Sequence, residues 1–289
     1  MWLRGGRGRA VAALSGVAIL ALTACSAAGG GEPTVESLLD KESVTIGVKA
    51  DQPGVGLEGE SGEFQGFDVD VANHIAEELG ISDVDFVPIT SDVREKRLRE
   101  GQVDMVVATY SITPARGTQV TFAGPYYVAK QDILVRKGDQ SVRGVADLEG
   151  KVICQGDGSN SAIRVQEEFD VAVEKVKKPR TYSDCVDQLR DGEIDAVSTD
   201  DLILAGFLDE DPDAFQFVNS PFTEERYGVG LPKGDVAGCE AVNRAIDGMF
   251  QSGAAEASLD KWFGDTDLDL VMSVPQFEGC DKEGGRPEE

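Results

Sequence analysis

The chain has 289 residues, with 27 Lys and Arg against 53 Asp and Glu, a formal net charge of −26 near neutrality. So acidic a chain excludes a basic face for nucleic acid or for anionic lipid. It is long enough for two small α/β lobes and carries no tandem repeat. Arg4, Arg7 and Arg9 precede a short apolar run over 11–22, too short for an ordinary membrane helix, which reads as a targeting segment. Residues 26–31 are small and suit a flexible tether.

A strand is expected over 44–49. Then comes Gly66, Phe67, Asp68, Val69, Asp70, Val71, three free positions, Ile75, Ala76, two more free positions and Leu79. Gly66 permits a tight turn, and Asp68 and Asp70 sit where negative charge suits a helix N-terminus. Val71, Ile75, Ala76 and Leu79 make one apolar stripe at helical spacing. Strands follow over 84–87, 105–108, 151–154, 172–176 and 196–198. Helices are expected over 93–100, 161–169, 182–190 and 202–208. This alternation predicts mostly parallel sheets with helices on both faces. Two apolar strands, 132–136 and 227–231, stand apart. The tail over 281–289 is acidic and expected to be solvated.

The run from Gly66 to Leu79 resembles the signature of family 3 extracellular solute-binding proteins, the polar amino-acid receptors of ABC importers. Leu22, Thr23, Ala24 and Cys25 resemble a bacterial lipobox. That resemblance implies a signal peptide over 1–24, lipid on Cys25, a tether over 25–37, and an exported protein anchored to the outer face of the cell membrane. Cleavage would take three arginines and leave 24 basic residues against 53 acidic, a net charge of −29. The family resemblance implies a two-lobed fold of the periplasmic-binding-protein type, with two mostly parallel sheets joined by a two-strand hinge. Lobe 1 would hold 38–133 and 228–280, and lobe 2 would hold 134–227. The strands 132–136 and 227–231 would be the crossings, and the lobes would close on a ligand as rigid bodies.

Four cysteines remain after Cys25, and an even count in an exported chain suggests two disulfides, with three pairings open. The implied lobe boundaries favour Cys154 with Cys185 and Cys239 with Cys280, each pair falling within one lobe segment. No Cys-x-x-Cys spacing occurs, and the only histidine, His74, reads as a solvated surface residue, so neither metal nor other cofactor is expected.

Ligands of open α/β sheets sit beyond the carboxyl ends of strands. After 105–108 comes Thr109, Tyr110, Ser111, Ile112, Thr113, Pro114, Ala115, Arg116, similar to a family run in which the arginine grips the ligand α-carboxylate. A guanidinium matches a carboxylate with two parallel bonds, which lysine cannot do. The resemblance gives Thr109, Ser111 and Ser159 further bonds to that carboxylate. Gly158 to Ser161 matches a family piece expected to offer backbone N–H groups, with Asn160 departing from the usual threonine. Asp200 matches the family's acceptor for the α-ammonium, beside Asp201 as a helix cap. Lys49 and Arg94 resemble the basic positions by which glutamate and aspartate receptors hold the side-chain carboxylate. The first loop lacks the family's usual aromatic clamp, for which Phe64 and Tyr110 are substitutes. The resemblance thus implies a monomeric receptor and not an enzyme, binding an acidic amino acid, L-glutamate foremost, and serving an ABC permease. Glutamine or asparagine as ligand, and a membrane kinase as the partner, are the alternatives. No nucleophile–base pair stands near the expected cleft.

Overall fold

The computed structural model describes residues 35–273 and 276–280. The expected signal peptide, Cys25, most of the tether and the acidic tail lie outside the described residues. Among those described, no helix is long and apolar enough to cross a membrane.

Among the described residues thirteen strands form, in chain order: β1 Ser43–Val48, β2 Asp51–Gln52, β3 Gly56–Glu58, β4 Phe64–Gln65, β5 Asp83–Pro88, β6 Met105–Val106, β7 Val120–Ala129, β8 Gln131–Arg136, β9 Val152–Cys154, β10 Lys175–Lys177, β11 Ala196–Asp200, β12 Phe215–Phe217 and β13 Glu225–Pro232. Two five-stranded sheets result, in the orders β5-β1-β6-β13-β7 and β10-β9-β11-β8-β12. In each, three strands run parallel and the fourth runs antiparallel to both of its neighbours. Four strands of each five therefore share a direction. Strands β2, β3 and β4 make a small third sheet out of the first loop, for which the sequence pattern gave no expectation.

The chain passes from the first sheet to the second through Lys130 alone, between β7 and β8. It returns through the segment 218–224, between β12 and β13. Backbone groups of β8 and β13 are committed to their ladders.

The α-helices among the described residues are α1 Phe67–Glu78, α2 Arg94–Arg99, α3 Pro114–Gly117, α4 Ser161–Ile163, α5 Tyr182–Arg190, α6 Asp201–Glu210, α7 Val236–Gln251 and α8 Ala254–Phe263. The turn into α1 needs glycine for two reasons. Gly66 has φ +131°, and a Cβ there would lie 2.2 Å from the Val55 carbonyl oxygen. The expected stripe of α1 is buried at Val71, Ile75 and Ala76, joined by Phe67, and packs in one core with Val242, Ile246 and Leu259 of α7 and α8. The helix expected over 161–169 is only a turn of α-helix, continuing as a π-helix over Arg164–Glu168. His74 is half-buried, not solvated, and its Nε2 is buried without a hydrogen-bond partner.

Both disulfides have the favoured pairing, Cys154 with Cys185 and Cys239 with Cys280. The first joins the end of β9 to α5 across 31 residues. Replacing both of its cysteines by serine is expected to lower stability by about 3 to 4 kcal/mol, the chain-entropy value for such a loop. Urea unfolding of the variant against the oxidised parent measures it, and a midpoint unchanged at equal slope would refute it.

Candidate functional site

The carboxyl ends of β6, β9 and β11 converge on a cavity enclosing about 310 Å³ of empty space including its mouth. Its wall takes Ser91, Arg94, Thr109, Ser111 and Arg116 from the first-sheet side. From the second-sheet side come Ser159, Asn160, Ser161, Tyr182, Thr199, Asp200 and Ile203, with Glu225 at the start of β13. Six of the seven ligand-contacting residues expected from sequence thus border one space. The seventh, Lys49, stands one residue behind the wall. Its Nζ donates to Ser91 Oγ at 2.8 Å.

Arg116 sits in α3, started by Pro114 and capped by Thr113 Oγ1. It is 7% exposed, and its Nη1 and Nη2 donate to the carbonyls of Ser111 and Gly158 at 2.9 and 3.0 Å. The second of these bonds joins the two sheets' sides. Burial and the charge of Arg94 lower its pKa to about 10, so it stays charged at neutral pH. Tyr110 lies beneath both guanidiniums, 4.0 Å from Arg94 and 5.2 Å from Arg116, and donates to Glu95 at 2.7 Å. Tyr110 therefore supports the cations and does not border the cavity. Phe64 packs on Phe86 and does not border it either. The aromatic residue on the wall is Tyr182.

Thr109 has φ +43°, a strained conformation for a β-branched residue. Asp68 of α1 holds it there, accepting from its N–H at 2.7 Å while also accepting from Tyr126 OH at 2.7 Å. Asp68 is wholly buried, and burial raises its carboxyl to about 6. Its charge near the helix start was legible in sequence; its grip on residue 109 was not.

Asp200 occupies the N-cap position of α6, yet its side chain makes no cap bond. It accepts instead from Tyr227 OH at 2.7 Å. Asp201 accepts from Leu202 N–H at 2.8 Å. Burial, then the charge of Glu225, raises the Asp200 carboxyl well above the usual range. Glu225 is itself matched by Arg164 at 2.8 Å.

The loop before α4 departs from the expected row of free N–H groups. Gly158 N–H donates to Asp157, Ser159 N–H to Gly156 O, Ser161 N–H to Ser159 Oγ and Ala162 N–H to Gln155 Oε1. The loop faces the cavity with side chains instead, and Ser159 and Ser161 both bond Tyr182 OH, at 2.7 and 2.9 Å. Ser91, Tyr182, Thr199 and Glu225 were not singled out from sequence. Only Thr199 carried a signal, its place at the end of β11.

Lys49 and Arg94 are 4% and 1% exposed, and among the described residues neither has a carboxylate within 4.0 Å. Arg94 Nη1 donates to the Ala108 carbonyl at 2.9 Å, and its Nε is buried without a partner. Burial, then the charge of Arg94, lowers Lys49 to about 7.

Two sheets joined by two short connections, with polar side chains of both facing one cavity, define a two-lobed binding protein of the periplasmic type. The sequence profile of the bacterial extracellular solute-binding proteins, family 3, matches residues 44–265, and the chain belongs to that family. It is 36% identical over 280 residues to a glutamate-binding protein of Corynebacterium efficiens, covering 92% of this chain and 94% of that one. It is 33% identical to a glutamine-binding protein of an ABC transporter in Bacillus subtilis, covering 87% of this chain and 95% of the other. Among solved structures, an ancestral arginine-binding protein bound to arginine superposes with a TM-score of 0.72 at 34% identity, over 78% of this chain and 99% of that one.

Proposed function

We propose that the protein is an extracytoplasmic receptor of an ABC importer, anchored by lipid on Cys25, that captures an acidic amino acid, L-glutamate foremost. Arg116 takes the α-carboxylate, aided by Thr109, Ser111 and Ser159, and Asp200 takes the α-ammonium. Together they balance a zwitterion. The observation that carries the acidic ligand is the pair of buried cations, Arg94 on the wall and Lys49 behind Ser91, neither in an ion pair. A buried charge without a partner is costly, and a ligand side-chain carboxylate relieves that cost. The glutamate-binding relative supports the same reading. Lobe 1, taken as 38–133 with 228–280, and lobe 2, taken as 134–227, close over the ligand as a monomer. No chemistry is assigned, and L-glutamate recovered unchanged after long incubation is the expected result. Conversion would contradict it.

Glutamine is the second reading, favoured by Lys49 titrating near 7, since an amine that is half neutral suits an amide. Lys49→Ala and Arg94→Ala separate the two readings by calorimetry. Loss of L-glutamate affinity with L-glutamine unchanged supports the acidic ligand, and equal loss for both refutes it.

The lowered Lys49 pKa has a sign. Its folded value lies below the unfolded 10.5, so the stability cost of burying this cation is full below pH 7 and fades as pH rises toward 10.5. A bound side-chain carboxylate raises the Lys49 pKa again. L-glutamate binding at pH 8 is therefore expected to take up protons and to weaken as pH rises above 7. Asp200 meets the ammonium of either ligand, so the difference between L-glutamate and L-glutamine isolates Lys49. Calorimetry in buffers of different ionisation enthalpy reads the proton count, and equal counts for the two ligands would refute the assignment.

A further inference from the structure

The first turn of α5 has more backbone donors than its own cap can satisfy. Thr181 Oγ1 accepts from Asp184 N–H at 3.2 Å, and Asp184 Oδ2 accepts in turn from Thr181 N–H at 3.3 Å, forming a capping box. That leaves the N–H groups of Tyr182 and Ser183. Both donate to Asp51 Oδ2, at 3.1 and 3.3 Å, across 131 and 132 residues of chain. Asp51 stands on β2, in the small sheet packed with the first lobe, and α5 packs on the second sheet. The carboxylate of one lobe thus completes the helix N-terminus of the other, where negative charge is favoured.

The contact is mechanically tied to the cavity. Tyr182 donates its N–H to Asp51, and its OH shares hydrogen bonds with the hydroxyls of Ser159 and Ser161. The Cys154–Cys185 disulfide fastens α5 to the end of β9, from which the loop bearing Ser159 and Ser161 departs. Helix and loop therefore move as one body. Asp51 itself does not border the cavity.

We propose that Asp51 is a closure latch: it holds the closed lobes together through the free N–H groups of α5 and so slows release of any enclosed ligand, whatever its side chain. This rests on the reading of lobe closure around an amino acid. A ligand-reading residue would discriminate between ligands. A latch acts on every ligand alike, because it stabilises the closed state and not one complex.

Stopped-flow release of L-glutamate and of L-glutamine from Asp51→Ala and Asp51→Asn tests it. Asp51→Ala is expected to release both ligands faster by the same factor, about tenfold, the worth of one to two charge-assisted bonds. Asp51→Asn keeps an acceptor without the charge and should fall between. Unchanged rates would overturn the latch. Acceleration confined to L-glutamate would also overturn it, assigning Asp51 to the charge on Lys49. Amide exchange at saturating L-glutamate gives a second readout, because the Asp51 contact belongs to the closed lobes. Asp51→Ala should expose the Tyr182 and Ser183 amides while Asp184, held by Thr181, keeps its protection. Equal exchange at all three in parent and variant would overturn the latch. Failure of the parent to bind either ligand would refute the proposed function and, with it, the latch that rests on it.

Discussion

Arg116→Lys is expected to weaken amino-acid binding by about 10- to 100-fold with little change in melting temperature. The arginine is 7% exposed, charged, and on the cavity wall. Two parallel bonds to a carboxylate require the planar guanidinium, and a lysine at this depth offers one point charge at a different reach. Loss of one charge-assisted bond costs about 1.5 to 3 kcal/mol, and about 2.7 kcal/mol is a hundredfold. Lysine also cannot span the carbonyls of Ser111 and Gly158 together, so one link between the lobes goes as well. Calorimetry with L-glutamate reads the effect, and an affinity within threefold of the parent would remove Arg116 from the site.

Gly206→Ala is expected to block closure while leaving the separate lobes at least as stable as before. Gly206 lies inside α6, and a Cβ there would stand 2.0 Å from the carbonyl oxygen of Pro53, on the loop between β2 and β3 of the other lobe. That neighbour is backbone, so the clash is relieved only by holding the lobes apart. Within the helix, alanine is favoured over glycine by about 1 kcal/mol. The two effects have opposite signs and are read by different experiments. The ligand-free melting temperature should hold or rise. L-Glutamate affinity should fall by about 100-fold or more, and the radius of gyration should no longer shrink at saturating ligand. Parent-like affinity would mean that the contact at Pro53 is not part of the working closed state. Gly158→Ala would strike Asp92 in the same way, but its φ of +76° adds backbone strain, so Gly206 is the cleaner position.

The sequence carried what is local. The stripe of α1 and the apolar strands follow from short-range spacing, and both disulfides followed from the lobe segments that the family resemblance implies. The same resemblance pointed to Arg116, Asp200 and Arg94, which border one cavity because the ends of parallel strands collect on one edge of a sheet. What sequence did not carry is convergence across the lobes. Tyr182 and Glu225 reach the cavity from the first residues of α5 and β13, positions that local spacing does not distinguish. Asp68 looked like an acid placed for a helix dipole, and its bond to Thr109 spans 41 residues. The loop over 158–161 read as an anion cradle because its composition suits one, yet the N–H groups of Gly158, Ser159 and Ser161 already donate to Asp157, Gly156 and Ser159. Helices α7 and α8 went unread although Cys239, Val242, Ile246 and Met249 of α7 recur at helical spacing.

The most direct test of the receptor is thermal melting of the chain from Cys25 onward, refolded free of carried-over ligand, with each of the twenty amino acids in turn. A ligand that binds only the folded state raises the melting temperature by mass action. A selective rise with L-glutamate, or with L-glutamate and L-aspartate, is the expected result. A rise with L-glutamine alone would contradict the role given to Lys49 and Arg94, and no rise with any amino acid would contradict the receptor itself.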